Sequence, residues 1–164
     1  MTVTVVAVGR PSGPLARGIA EYESRAGRYW KFRVVEVDEG ARGTGVAPDG
    51  VRREEGRRIL RALPKEAAVF LLTRNGKGMT SPGLARYLER QQAGAARDVV
   101  FVIGGAHGVD AAVEERATFS LSLSPMTLPH DLARLVLAEQ LYRAGTILRG
   151  EPYHKGKGVE TDHE

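Results

Sequence analysis

The stretch FVIGGAHGVD, residues 101–110, closes an apolar run, DVVFVI at 98–103, with two glycines and then a third at Gly108. A strand with no polar alternation is buried on both faces, which is the habit of parallel sheets covered by helices. AAVFLL at 67–72 has the same character, and TVTVVAV at 2–8 and FRVVEV at 32–37 read as further strands. Helical spacing fills the intervals, at 14–29, 51–64, 81–94, 110–117 and 129–148, and FSLSLS at 119–124 is a short alternating strand. The order predicts an α/β fold, a mostly parallel sheet with helices on both faces.

Ligands of such sheets sit outside the carboxyl ends of the strands. Three loops lie at such ends: after Leu72, after Ile103, and SPMTLPH after Leu123. The glycines at 104 and 105 permit two readings, a plain turn or bare backbone against which a flat ligand can lie. GGAHG is not GxGxxG, and GxxxxGK[ST] does not occur, so dinucleotide and P-loop sites lack their fingerprints.

With 164 residues and 42% hydrophobic composition the chain is long enough for one domain with a real core. It has no cysteine, which removes disulfides, thiolate zinc sites and cysteine nucleophiles and suits a reducing cytoplasm. The four histidines, 107, 130, 154 and 163, have no metal-ligand spacing, and no metal site is expected. No stretch approaches the roughly 18 apolar residues of a membrane span. The net charge of +4 is carried by 19 arginines against 5 lysines. That bias suits phosphate and stacking contacts, or equally a biased genome or a heat-adapted surface.

Two C-terminal segments concentrate chemistry. The helix at 129–148 is apolar over so much of its girth that it must be covered on two sides, by the sheet and a second subunit or within a monomer. Glu139 and Arg143 stand four apart on it and can simply pair. RGEPYHK at 149–155 offers an Arg, a Glu, a Tyr, a His and a Lys, either as a solvated tail or as a site able to stack on a base and hold phosphate. Arg53, Arg57 and Arg61 form a row on the helix at 51–64, a solvated face or a phosphate contact. The loop at 38–50 is Gly-rich and aperiodic, and the tail at 156–164 is read as disordered beyond a single domain at 1–155.

FVIGGAHG, LSLSPMTLPHDLARLVLAEQLYRA and RGEPYHK, with AVGR, IAEYESRAGRY, EEGRRIL and LLTRNGK before them in order, resemble one family over nearly the whole chain. It is the SPOUT-class bacterial methyltransferase that modifies N3 of a pseudouridine in helix 69 of 23S rRNA. The resemblance implies a C-terminal trefoil knot, S-adenosylmethionine as cofactor, a homodimer packed through the long helix, the 70S ribosome as RNA partner rather than DNA or a membrane, and a cytoplasmic location. It implies cofactor contacts at Leu72, Gly104, Gly105, Leu123, Ser124, Pro125, Met126, Thr127 and Leu128. His154 would act as base or orient the target, with Tyr153 packed on it and Arg143 holding phosphate or ring-oxygen charge. Thr73 stands where the family has an acidic residue, His107 departs from its pattern, and nine residues follow Lys155. Alternatives are a knotted methyltransferase acting on tRNA or another rRNA site, or a non-catalytic ribosome-binding factor.

Overall fold

The computed structural model describes residues 1–41, 45–94 and 97–155. The proposed tail at 156–164 and part of the Gly-rich loop lie outside the described residues. Five strands, β1 (Thr2–Val8), β2 (Lys31–Val37), β3 (Ala68–Gly78), β4 (Val99–Ile103) and β5 (Phe119–Ser122), form one sheet in the order β2-β1-β4-β3-β5. Every pairing is parallel. The central strand β4 is buried along its whole length, as its unbroken apolar run requires.

Helices α1 (Ala16–Ala26), α2 (Pro48–Ala62), α3 (Ser81–Ala93), α4 (Ala111–Arg116) and α5 (His130–Leu148) complete the fold. The alternation of side chains along each strand divides the core in two. Val3, Val5, Phe70, Phe101 and Ile103 face α1, α3 and α5, while Val6, Val69, Leu71, Val100 and Val102 face α2 and α4. Helices therefore cover both faces. On the α5 side Phe70 stacks on Phe101 at 5.0 Å and on Phe119 at 4.9 Å, tying β4, β3 and β5 together through one aromatic column.

Helix α5 is a central helix of the single chain. Leu137, Ala138, Leu141 and Ala144 are buried against the sheet between α1 and α3. Trp30, at the foot of β2, donates its indole N–H to the Leu141 carbonyl at 2.9 Å. Arg134 is buried on the same helix, with its guanidinium 2.6 Å from Glu23 of α1 and 2.8 Å from Glu36 of β2. Leu132 and Val136 stay half-buried.

Several boundaries differ from the sequence reading. Thr80 caps α3, its hydroxyl accepting from the Gly83 N–H at 3.0 Å. Ser81 is thereby released to bond Gln140 of α5. Helix α2 begins three residues earlier than expected because Pro48 supplies a ready first turn. Strand β3 does not stop at Leu72. Leu121 pairs with Leu72 and again with Lys77, so residues 73–76 bulge out and return beside β5. Gly76 makes this crossing possible: a Cβ there would stand 2.6 Å from the Ser120 carbonyl carbon.

Candidate active site

At the carboxyl ends of β3, β4 and β5 lies a cavity of about 720 Å³. Sheet order explains its position. Strands β4, β3 and β5 are parallel neighbours, so the loops that leave their carboxyl ends meet outside the sheet. Its walls are the three loops singled out above. Leu72, Gly104, Gly105, Leu123, Ser124, Met126, Thr127 and Leu128 all line it. Pro125 is exposed and stands outside the lining. Thr73, Arg74, Ile103 and His130 line it as well. Arg74 donates to the Thr127 hydroxyl at 3.2 Å, joining the first loop to the third across the rim.

The glycines form the turn. Gly108 N–H donates to the Gly105 carbonyl at 3.1 Å, and Gly108 has φ of +82°, so GGAHG is a tight turn that needs glycine at its end. Gly104 and Gly105 nevertheless border the cavity. What their missing side chains leave room for is protein. A Cβ on Gly104 would lie 2.6 Å from Val109 Cγ1, and one on Gly105 would lie 2.8 Å from Glu55 Oε1.

A second cluster gathers Arg143, Tyr153 and His154 around Glu139. Glu139 Oε1 accepts from Arg143 Nη2 at 2.6 Å and from the Tyr153 hydroxyl at 3.1 Å. Arg143 also lies over the Tyr153 ring, 4.8 Å from its centroid. Hydrogen bonding to Glu139 holds the Arg143 pKa above its ordinary value. Burial, together with hydrogen bonds to Tyr22 and Glu139, pushes the Tyr153 phenol up. The pairing of Glu139 with Arg143 is thus real, and it also serves as the platform on which the C-terminal segment sits.

Arg143 Nη1 lies 3.1 Å from His154 Nδ1. A guanidinium has donors and no acceptor. His154 Nδ1 therefore accepts in this contact, which leaves the ring proton to Nε2. Tyr22 and Tyr142, the latter 4.7 Å from the Tyr153 ring, complete the surroundings. None of Arg143, Tyr153 and His154 lines the 720 Å³ cavity. Within one chain the two groups of residues are separate. Arg53, Arg57 and Arg61 are exposed on α2. Among the described residues no group of three or more His, Cys, Asp or Glu is arranged to hold a metal, and no helix is long and apolar enough to cross a membrane.

The sheet is all-parallel with a cavity at its strand ends, and the family described as predicted SPOUT methyltransferase matches residues 1–154. Two curated relatives carry the name Ribosomal RNA large subunit methyltransferase H. The protein of Gemmatimonas aurantiaca is 51% identical over 94% of this chain and 100% of its own length. That of an Anaeromyxobacter species is likewise 51% identical over 94% and 100%. A solved Bordetella pertussis Tohama I protein, described as a "Probable Methyltransferase", shares the fold with a TM-score of 0.54 at 21% identity, over 87% of this chain and 93% of that one. The chain belongs to the SPOUT methyltransferases and, among them, to the ribosomal RNA large subunit methyltransferase H family.

Proposed function

We propose that this protein transfers a methyl group from S-adenosylmethionine to N3 of a pseudouridine in helix 69 of 23S rRNA, acting on the 70S ribosome as a cytoplasmic homodimer. The observation that carries the reading is the cavity of about 720 Å³ walled by three strand-end loops, together with the name its relatives bear. The volume and the mixture of leucine side chains with bare backbone suit an adenosine, whose base edge needs N–H and C=O partners and whose faces need apolar cover. When bound, the cofactor supplies an electrophilic methyl group on a sulfonium. The chain's own residues then have two tasks: to hold the cofactor and to present an ionised ring nitrogen.

The second task falls to the Arg143–Tyr153–His154 cluster. N3 loses its proton before the nitrogen–carbon bond forms, and the negative charge spreads to the two flanking ring oxygens. His154 Nε2–H is a donor suited to one of them. Arg143, charged and fixed by Glu139, favours the anion electrostatically. Tyr153 offers a ring on which the base can pack. Because Nε2 already carries its proton, His154 orients the target and the N3 proton passes to water. Since this cluster and the cavity are separate within one chain, each site draws its cluster from the second subunit. Half-buried Leu132 and Val136 on α5 support packing of two copies through that helix. The family match supports the C-terminal trefoil knot.

The test is transfer of labelled methyl from S-adenosylmethionine to 70S ribosomes from cells lacking this enzyme, beside free 50S subunits and naked rRNA. Label at a single helix 69 pseudouridine, strongest on 70S, is the expected result. Label on tRNA alone, or none on any RNA, overturns the substrate assignment.

A further inference from the structure

A second hollow of about 280 Å³ adjoins the larger cavity. Gly40, Glu55 and His107 bound it on its own side, and Gly105, Ala106 and His130 belong to both spaces. Glu55 reaches into it from α2 and is only 4% exposed. Its Oε2 accepts from the Gly40 N–H at 2.9 Å. Its Oε1 is buried and, among the described residues, has no hydrogen-bond partner. That oxygen lies against the loop dividing the two spaces, 2.8 Å from where a Cβ on Gly105 would stand.

A buried carboxylate oxygen without a donor is costly, so its retention calls for a partner that arrives from outside. Among the described residues no lysine or arginine lines this hollow. The chemistry that fits is a compact cation with several donors. Glu114 also lines the larger cavity, but it is exposed, and water screens its charge. Glu55 sits in a low-dielectric setting, where the same pairing is far stronger.

We propose that the smaller hollow is a subsite for a primary ammonium group, with Glu55 Oε1 as its acceptor, and that the ammonium is the one at the amino-acid end of the cofactor. The inference rests on the S-adenosylmethionine reading above. One ligand with an adenosine end and an amino-acid end spans two spaces that share Gly105, Ala106 and His130. The bare oxygen then gains a charge-assisted hydrogen bond.

Calorimetric binding to the full-length protein tests this with three ligands: S-adenosylhomocysteine, its analogue lacking only the amino group, and methylthioadenosine, which lacks the whole amino-acid end. Wild type should bind S-adenosylhomocysteine at least about tenfold more tightly than the deamino analogue. Glu55→Gln should erase that difference and leave methylthioadenosine binding unchanged. Equal binding of the first two ligands by wild type overturns the subsite, whatever the variant does. An equal loss for all three in Glu55→Gln also overturns it, since Glu55 would then only shape the fold. Failure of wild type to bind either S-adenosylhomocysteine or methylthioadenosine overturns the cofactor reading itself, a separate outcome.

Discussion

Tyr29 and Glu151 are 122 positions apart, and the Tyr29 hydroxyl donates to Glu151 Oε2 at 2.5 Å. Arg149 adds its guanidinium over the same ring, 4.5 Å from the centroid. Two residues after Glu151 the chain presents Tyr153 and His154. The turn following α1 is therefore the anchor that holds the C-terminal segment over Glu139 and Arg143.

Replacing Tyr29 by Phe removes that anchor while keeping the ring. A hydrogen bond to a carboxylate contributes about 1.5–3 kcal/mol, so the docked population of the segment should fall about tenfold or more. Trypsin should then cleave after Arg149 faster, and methyl transfer should drop with cofactor affinity unchanged. Equal cleavage rates in wild type and variant would remove the anchoring role.

Gly145 is buried in α5, and a Cβ there would overlap Tyr29 Cγ. Ala is the better helix former, so propensity alone predicts stabilisation. The overlap should win: Gly145→Ala should destabilise by about 1–3 kcal/mol in urea unfolding, because the ring cannot leave without abandoning Glu151.

Arg134 neutralises Glu23 and Glu36 inside the α1–α5–β2 junction. Burial opposes its charge, yet the hydrogen bonds to both carboxylates prevail and its pKa is raised. Arg134→Met strands two carboxylates and should cost about 3–5 kcal/mol. Adding Glu23→Leu should recover part of the loss in the same unfolding measurement.

Tyr153 is raised by burial and its hydrogen bonds, Tyr29 chiefly by its bond to Glu151, and Tyr87 by burial. A folded pKa above the unfolded value of about 10 means the native state keeps protons that the unfolded chain releases. Their stability contribution is therefore complete below about pH 10 and is lost as pH climbs through the higher folded values. Phenolate absorbance should show these three tyrosines titrating late. Tyr153→Phe should delete one late step.

His154→Gln retains a nitrogen donor near the Nε2 position, whereas His154→Ala does not. If His154 orients the ring, Ala should lower transfer at least about tenfold, the scale of a lost charge-assisted contact, and Gln should lose less. Both should keep cofactor affinity and a rate that rises with pH as N3 ionises. Equal inactivity of the two, with that pH dependence abolished, would return the base role to His154.

The sheet was legible from the chain because burial on two faces leaves a signature in consecutive residues: Val99 to Ile103 contains no polar position, and only a parallel strand under two helical layers tolerates that. The strand-end loops were legible for the same reason, since topology alone puts ligands there. The return of β3 beside β5 was not legible. Thr73, Arg74 and Asn75 carry no strand pattern, and nothing local to Gly76 shows that Ser120 lies against it.

The candidate cluster around Glu139 divides in the same way. Glu139 and Arg143 are four apart, so a helix pairs them from local geometry. That Tyr22 and Tyr29 should support Tyr153 and Glu151 could be decided only by the packing of α1 on α5, which joins residues more than 120 positions apart. Glu55 is the clearest case. In sequence it is one of two adjacent glutamates in an arginine-rich helix, a solvated charge by every local rule. The side of the helix it occupies, fixed by how α2 lies on the sheet, buries it behind Gly105 and leaves one oxygen without a donor among the described residues. Local periodicity determines which elements form. Only the long-range docking of those elements decides which charges lose their water, and that loss is what turns a carboxylate into a binding group.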